Sequence, residues 1–354
     1  MPLIKCANIL IVRTDRIGDV VLTTPVFKAL RKAYPLARIT VLVTPLTADL
    51  VRGNPYIDEV ICDDRMGEHR GFLGAIRLTK MIRSRKFDAA FIYHTKRRYN
   101  LMCFWVGVPL RIGYKNGKFG IFLTHPVKDE RHLGKKHEAE YCLDLLKPFG
   151  VSDAELDVFV AVNKEAEAWA AGWFNAKGIC PGDVIAVHPG ASDATRLWPT
   201  ACYARLIDAL ANRYSVKILL VGGPETVNTA AEILRLARSS VLDMTGQVTV
   251  GQTSSILRRC RFLVSSDSGP LHIAAGVGIY TICLFPRIQP GINPKRWRAL
   301  GAKAFLLVNK PGEEIILDKK GCIQSGKLDS ITVEEVLAVM EQIFRQDSQS
   351  MFYW

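Results

Sequence analysis

Three turns in this sequence combine acidic, basic and small residues, and each turn directly follows a short apolar run. The first turn spans 13–19, and Asp19 stands at the start of an amphipathic stretch. A carboxylate held there can accept a proton from a hydroxyl group as a general base, or it can serve only as a helix cap. The turn lacks a G-x-G-x-x-G pattern, which argues against a nicotinamide or flavin site.

The second turn has the residues of a phosphate site. It runs from His188 through Ala191 and Ser192 to Arg196, just before a helix predicted over 200–213. Free backbone N–H groups and the dipole of a helix start favour an anion, and an arginine adds a fixed charge suited to a diphosphate. The alternative is a helix-entry turn with a surface arginine.

The third turn, 266–272, again places small residues at a predicted helix start after a strand. Asp267, Ser268 and Gly269 form the turn, and His272 lies one helical turn further on. Two anion-friendly turns in one domain suit a nucleoside diphosphate. A lone histidine is more often structural than functional, but within this turn we predict that His272 contacts the bound nucleotide.

A fourth turn carries Glu225 directly after the Gly222-Gly223-Pro224 segment. An ionised carboxylate accepts two hydrogen bonds, so Glu225 could hold both hydroxyl groups of a ribose. Alternatively, it is an acidic residue favoured by the dipole at a helix N-terminus.

The elements that position these turns alternate between strands and helices, and the alternation restarts near the middle of the chain. Pro25 fits near the first turn of a helix, which places the start of the first helix close to Asp19 or just beyond it. The β/α order predicts mostly parallel, doubly wound sheets with helices on both faces. Ligands bind beyond the carboxyl ends of such strands, where the four turns lie. We therefore predict two Rossmann-like domains that face a cleft.

Length and composition limit the class of protein. A chain of 354 residues exceeds the usual size of one hydrophobic core, so two domains are expected. We place them at 1–165 and 166–330, with a helix and tail over 331–354 that packs back on the first domain. No apolar run is long enough to cross a membrane. Nine cysteines without a C-x-x-C pair disfavour zinc ribbons, iron–sulfur clusters and disulfide frameworks, and they suggest a cytoplasmic protein.

The positive charge is concentrated in the first half of the chain. Of the net charge of +13, residues 1–165 carry +9, with 27 basic against 18 acidic residues. Such an excess indicates an anionic partner or a merely solvated basic surface. No recognised nucleic-acid motif accompanies it, so we expect no nucleic-acid partner.

Taken together, the turns resemble those of glycosyltransferase family 9, the lipopolysaccharide heptosyltransferases. Arg16-Ile17-Gly18-Asp19 resembles the R-x-G-D turn of that family, and the segment 188–199 resembles its H-P-G-A…K-x-W-P segment. The segment 267–275 resembles its D-[ST]-G-x-x-H-x-A-A segment. The three motifs occur in the family order, and the likeness covers roughly residues 8–345.

The resemblance implies a fold of the GT-B type and inverting transfer of a sugar. The expected donor is ADP-L-glycero-D-manno-heptose, and the expected acceptor is the lipid A–core oligosaccharide. By the same resemblance, Asp19 is the catalytic base, Arg196 contacts the donor diphosphate and Glu225 contacts the ribose. The remaining donor-site residues are Ala191, Ser192, Asp267, Ser268, Gly269 and His272.

The basic surface of the first domain is the expected acceptor side. Candidate residues are Arg16, Lys96, Arg97, Arg98, Lys115 and Lys136, with Lys118, Lys128, Arg131 and Lys135 as further members. The same surface could rest on the anionic inner leaflet of the inner membrane as a peripheral contact. No D-x-D motif is present, so we expect no metal ion and no cofactor besides the nucleotide sugar.

Two departures from the family pattern leave the transferred sugar open. Arg196 replaces the more usual lysine, and its planar fork differs from a compact ammonium group. The segment 293–297 follows an N-P-x-R-W branch rather than the endings of the heptosyltransferase I and II subgroups. Alternatives are therefore a family 9 transferase that uses another nucleotide sugar, a sugar-nucleotide epimerase, or an inactive binding subunit.

Overall fold

The computed structural model describes residues 7–94, 96–115, 117–151, 154–190, 197–286, 288–309 and 330–350. The chain divides into two compact units, Met1–Asn163 and Lys164–Trp354. Each unit contains a six-stranded parallel sheet with helices in the connections between strands. The predicted fold class of two Rossmann-like α/β domains is therefore confirmed. The boundary lies two residues before the position expected from the sequence.

Buried apolar runs form the central strands β1 (Asn8–Val12), β2 (Arg38–Val43) and β4 (Ala89–Ile92) of the first sheet, because helices on both faces of a parallel sheet shield its central strands from water. In the first strand, residues 9–12 are all fully buried. The strands are β1 Asn8–Val12, β2 Arg38–Val43, β3 Glu59–Cys62, β4 Ala89–Ile92, β5 Leu110–Lys115 and β6 His125–Lys128. Their order is β3-β2-β1-β4-β5-β6, so the direction of winding reverses between β1 and β4.

The helices of the first unit are α1 Ile17–Ala33, α2 Pro45–Ala48, α3 Gly71–Ser84, α4 Arg97–Val106 and α5 Glu138–Asp144. Helix α1 begins at Ile17, two residues before Asp19, where the sequence predicted a start close to Asp19 or just beyond it. Pro25 lies inside α1, where it removes the hydrogen bond to the carbonyl group of Val21. The hydroxyl group of Thr24 donates to that carbonyl at 2.7 Å, so the acceptor stays satisfied and the helix continues.

The second sheet repeats this architecture. Its strands are β7 Val184–His188, β8 Lys217–Leu220, β9 Val241–Asp243, β10 Phe262–Ser266, β11 Tyr280–Phe285 and β12 Ala304–Val308. The order β12-β11-β10-β7-β8-β9 places the reversal between β7 and β10. The helices are α6 Lys164–Ala176, α7 Thr200–Arg213, α8 Val227–Leu236, α9 Val250–Arg259, α10 Gly269–Val277, α11 Pro294–Trp297 and α12 Val333–Ser350.

The last helix, α12, packs on the second unit, which differs from the expectation that residues 331–354 would pack on the first. Val336, Met340 and Ile343 lie in the same buried cluster as residues of α7. On the rim of this contact, two arginines of α7 lie 3.0 Å from two glutamates of α12. Helix α12 thus covers apolar side chains of α7 and buries its own apolar face against them. Among the described residues, no helix has the length and apolar content of a membrane span.

Candidate functional site

The first candidate site lies where winding reverses in the first sheet, between the carboxyl ends of β1 and β4. Val12 pairs with Ile92 there, so the residues that follow the two strands emerge side by side. The Thr14 hydroxyl lies 2.8 Å from His94 Nδ1 across this junction. Open α/β sheets bind their ligands at such a point, because the diverging connections leave a crevice.

A buried arginine organises this end of the sheet. Arg13 is only 1% exposed, and its Nη2 donates to Asp19 Oδ1 at 2.7 Å and to Glu138 Oε1 at 3.2 Å. Its Nε lies 3.1 Å from Asp15 Oδ1 and donates to the Asp19 carbonyl group at 3.2 Å. The guanidinium group therefore holds Asp19 at the strand end through two contacts, one with its carboxylate and one with its backbone carbonyl group.

The carboxylates of this cluster stabilise the positive charge of Arg13. Burial by itself lowers the pKa of Arg13, but the carboxylates of Asp15, Asp19 and Glu138 raise that pKa well above its ordinary value. Arg131 lies 4.0 Å from Glu138 and adds a second cation. Arg13 and Glu138 were not predicted as site residues from the sequence. Arg13 could have been, because a charged residue directly after a buried strand lies at the edge of the sheet where ligands bind.

Asp19 lies in the first turn of α1 and is not its N-cap residue. The N-cap of α1 is Arg16, and Asp19 is the third helical residue. Its side chain is 16% exposed, so the carboxylate is held by Arg13 and still reaches the surface. Arg16 is exposed at the same turn. The alternative reading of Asp19 as the N-cap residue is therefore wrong, while the catalytic role stays a prediction.

His94 is a further polar residue at this junction that the sequence analysis missed. Burial, with the positive charges of Lys96, Arg13 and Arg65, lowers the pKa of His94 to about 4. The imidazole is therefore neutral near pH 7 and can accept or donate a hydrogen bond without carrying a charge. The position of His94 just after the apolar strand β4 is the signal that could have identified it, because ligands bind beyond the carboxyl ends of such strands.

The predicted acceptor cations lie at the same edge of the sheet, but several are already paired. Lys96, Arg97 and Lys115 are exposed at the ends of β4 and β5. Arg98 donates to the buried carboxylate of Asp63 at 2.9 Å, and Lys136 lies 2.7 Å from Asp144. The further candidates Lys128 and Arg131 pair with Glu130 and Asp129, Lys135 is exposed, and the side chain of Lys118 lies outside the described residues.

The second candidate site lies at the reversal of the second sheet, between the carboxyl ends of β7 and β10. Ser265 pairs with His188 in the register of the two strands. His188 Nδ1 lies 3.0 Å from the hydroxyl oxygen of Ser265 and 3.2 Å from that of Ser268. The Ser266 hydroxyl group donates to the Gly190 carbonyl group at 3.0 Å. These contacts join the predicted second and third turns into one site.

Glycines allow the neighbouring turns to approach closely. A Cβ on Gly190 would lie 2.1 Å from the Thr226 side chain and 2.8 Å from His188 Nε2. Gly222 has a φ of +156°, and a Cβ there would lie 2.3 Å from the Thr226 hydroxyl oxygen. Thr226 is buried between the two turns. Gly190 and Gly222 are therefore both needed, since a side chain at either position would collide with Thr226. The adjacent Glu225 is exposed at the surface of this turn.

The third predicted turn leads into α10 as expected, and His272 is a buried residue of the first turn of that helix. Ser268 is the N-cap and Gly269 the first residue of α10, so their backbone N–H groups lie at a helix start. His272 Nε2 lies 3.8 Å from Asp267 Oδ1, and its Nδ1 is buried without a hydrogen-bond partner in the described part of the chain. The predicted donor residues Ala191, Ser192 and Arg196 lie outside the described residues.

We expect His188 to make the second unit sensitive to acid. Burial lowers the pKa of His188 to about 4, whereas an unfolded histidine titrates near 6.5. Between these values the unfolded chain binds a proton that the folded chain does not, so stability falls as the pH drops towards 4, by up to about 3 kcal/mol. Below about pH 4 this contribution changes no further.

Calorimetric unfolding across this pH range checks the prediction. The variant His188→Asn removes the titrating group, and we expect its second-unit transition to fall less steeply with acid. His132→Asn changes an exposed histidine of the first unit and is the matched control. Equal acid sensitivity in His188→Asn and wild type would contradict the assignment.

Comparisons with known proteins agree on one family. The model of glycosyltransferase family 9 (heptosyltransferase) matches residues 75–324. Lipopolysaccharide heptosyltransferase 3 of Escherichia coli K12 is 25% identical over 278 residues, covering 76% of this chain and 79% of that protein.

Two solved structures support the fold. A family 9 glycosyl transferase from Veillonella parvula has a TM-score of 0.85 at 24% identity, covering 96% of this chain and 98% of that one. The E. coli ADP-heptose LPS heptosyltransferase II has a TM-score of 0.74 at 20% identity, covering 96% and 99%. The predicted GT-B type of fold is therefore confirmed. The family model matches only from residue 75 onwards, so its match does not include Asp19.

Proposed function

This chain belongs to glycosyltransferase family 9, and on that premise we propose that it transfers a heptose from ADP-L-glycero-D-manno-heptose to a lipopolysaccharide core acceptor. The family membership makes the chain a glycosyltransferase. Two relatives support the finer proposal, since their names specify heptose transfer and an ADP-heptose donor. The identity remains near 25%, so the sugar and the core position are the parts that need testing.

The observation that carries the proposed mechanism is the Asp19 carboxylate, held 2.7 Å from Arg13 at the switch point of the first sheet. We propose that Asp19 takes the proton of the acceptor hydroxyl as its oxygen attacks the anomeric carbon of the donor. The bond from that carbon to the diphosphate oxygen breaks, and the electron pair leaves with the nucleoside diphosphate. The sugar is joined to the acceptor with inversion at the anomeric carbon.

The second unit supplies the donor site in this proposal. Negative charge develops on the leaving diphosphate, and backbone N–H groups at the start of α10 are suited to stabilise it. Arg196 and the turn at Ala191 and Ser192 are proposed to do the same from the neighbouring connection. Asp267 is proposed to line the same site. His272, whose Nε2 lies 3.8 Å from Asp267 Oδ1, is proposed to contact the nucleotide at the same site.

The first unit supplies the acceptor site in this proposal. Lys96, Arg97 and Lys115 are exposed at the carboxyl edge of its sheet and are suited to the carboxylates and phosphates of a core oligosaccharide. Arg98 and Lys136 are proposed to contact the acceptor as well, while they stay paired with Asp63 and Asp144. The enzyme would work at the cytoplasmic face of the inner membrane, where it meets its lipid-linked acceptor.

The decisive experiment measures transfer from a panel of nucleotide sugars to defined core oligosaccharides. We expect turnover of ADP-heptose that requires an acceptor, with the product located by mass spectrometry of the core. Turnover of a UDP-, GDP- or dTDP-sugar instead would favour the alternative of a family 9 transferase with another donor. Turnover without acceptor would indicate an epimerase, which the family membership disfavours.

We expect Glu225→Ala to weaken donor binding by about 10- to 100-fold. A charge-assisted hydrogen bond contributes roughly 1.5–3 kcal/mol, and the exposed Glu225 carboxylate is placed at the turn after β8 where it could meet the ribose. Titration calorimetry with ADP measures the effect. Glu232→Ala, on the exposed side of α8, is the control. Equal affinity in both variants would return Glu225 to a role at the helix start.

We expect the transfer rate to be independent of divalent metal ions. Neither a D-x-D motif in the sequence nor a group of three metal-ligating side chains among the described residues is present. Rates are compared after treatment with EDTA and after addition of Mg²⁺. Activity that is lost in EDTA and restored by Mg²⁺ would overturn this expectation.

A further inference from the structure

The segment 65–98 of the first unit is rich in cations, of which Arg85 and Arg98 are paired with Glu59 and Asp63 just before the segment. Residues 65–98 contain ten lysines and arginines but only two acidic residues, a net charge of +8. The whole stretch 1–165 carries only one charge more, +9. The segment contains α3 and leads into α4, so one pair of helices carries a field that attracts anionic surfaces.

Large apolar side chains are exposed on the same two helices. Phe72 and Leu73 at the start of α3 are 78% and 70% exposed, and Trp105 near the end of α4 is 65% exposed. A single exposed apolar residue is ordinary, but three large ones on two packed helices are a candidate interaction surface.

A groove of about 430 Å³ runs between α3 and α4. Leu78, Leu101, Met102 and Trp105 contribute apolar walls, and residues 96–98 form a basic end. At the start of α4, the guanidinium group of Arg97 lies over the Phe119 ring, 5.0 Å from its centre, and so covers another side of the helix. Charge and apolar surface therefore meet at the open side of the helix pair.

Helical spacing brings the two kinds of side chain onto one surface. Phe72, Thr79 and Arg83 are separated by seven and four residues, so they lie along the same side of α3. Thr79 lines the groove, and Phe72 and Arg83 continue that side of α3 beyond the groove lining. Leu73 and Lys80, also seven residues apart, are exposed on the adjacent outer side.

We propose that the α3–α4 surface, formed by these two helices and their groove, docks on an anionic phospholipid bilayer. Phe72, Leu73 and Trp105 enter the headgroup region, and the surrounding cations meet lipid phosphates. Apolar side chains beside a dense basic field are the combination that binds such an interface, and tryptophan favours its depth. This deepens the proposed function, which needs a lipid-linked acceptor, and it can be tested without any sugar transfer.

Sedimentation with vesicles tests the proposal on the full chain. We expect binding to phosphatidylcholine vesicles that contain phosphatidylglycerol, weak binding to pure phosphatidylcholine, and a loss of binding as salt screens the charges. Lys80→Gln/Arg83→Gln should lower the partition coefficient roughly 30-fold, since each basic residue near the surface contributes about fivefold. Phe72→Ser/Leu73→Ser should lower it by at least about tenfold.

Matched changes elsewhere separate this surface from general stickiness. Leu36→Ser removes an exposed leucine from another part of the first unit, and Lys177→Gln/Arg235→Gln removes two exposed cations from the second unit. Both controls should bind vesicles as the wild type does. A loss in the controls equal to that in the surface variants would overturn the proposal.

Trp105 reports the depth of contact directly. Brominated lipids should quench part of the tryptophan emission of the wild type, and Trp105→Phe should still bind while losing that part. Unchanged quenching in Trp105→Phe would overturn the assigned surface. A change in oligomeric state in Phe72→Ser/Leu73→Ser, without any effect on vesicle binding, would show that a second copy covers the surface and would also overturn the proposal.

A soluble acceptor separates this inference from the proposed function. Transfer to a deacylated core oligosaccharide should be the same in wild type and in the surface variants, because no membrane is involved. Failure of vesicle binding with intact transfer would remove only the lipid contact. Vesicle binding without heptose transfer would instead count against the proposed function.

Discussion

Replacing Asp19 with asparagine is expected to lower the transfer rate by about 10²–10⁴-fold, the usual contribution of a general base. Asparagine keeps the size of the side chain and can still accept a hydrogen bond from Arg13, but it cannot take the acceptor proton. Affinity for ADP should stay close to that of the wild type, because the proposed donor site lies in the second unit. Single-turnover rates and titration calorimetry measure the two effects separately.

Asp15→Asn is the matched control for the loss of charge. Asp15 and Asp19 both contact Arg13, at 3.1 and 2.7 Å, so each variant removes one carboxylate from the same cluster. A much smaller loss of rate in Asp15→Asn would assign proton transfer to Asp19. Equal losses in the two variants would instead assign the effect to the charge balance around Arg13, and a near-normal rate in Asp19→Asn would exclude the base role.

Arg13→Met is expected to destabilise the first unit by about 3–5 kcal/mol, because it leaves a buried carboxylate without its partner. Glu138 is 1% exposed and lies 3.2 Å from Arg13, so water cannot replace the lost cation. Arg131 at 4.0 Å remains and should hold the effect towards the lower end of that range. Differential scanning calorimetry of the first-unit transition measures the loss.

The double variant Arg13→Met/Glu138→Met separates a missing partner from a cavity. It should recover much of the stability, because two apolar side chains replace the buried ion pair. Arg205→Met is the control: its pair with Glu334 is 64% and 69% exposed, and such pairs contribute less than about 1 kcal/mol. If Arg13→Met melted like the wild type, Glu138 would have found another partner and the cluster would not be a stabilising centre.

The fold could be predicted largely from local patterns. Short apolar runs such as 184–187 and 262–264 identified central strands, because parallel strands are buried on both faces. Two of the four edge strands, β6 and β12, were not predicted, and neither was the interior strand β5. β6 alternates half-buried and exposed residues and is only four residues long. β12 lies at a sheet edge and is half-buried throughout. Short strands at an edge carry too little apolar signal to be separated from loops.

The sequence alone determined where the candidate sites lie, since small residues and charges follow the predicted strand ends; the base and the anion site stay predictions. Only the tertiary structure decided the partners. Glu138 reaches Arg13 from 125 residues away, and Ser265 reaches His188 from 77 residues away. Likewise, α12 packs beside α7. Periodicity records which face of an element is buried, but which elements become neighbours depends on the order of the strands, and that order is set by packing of the whole unit.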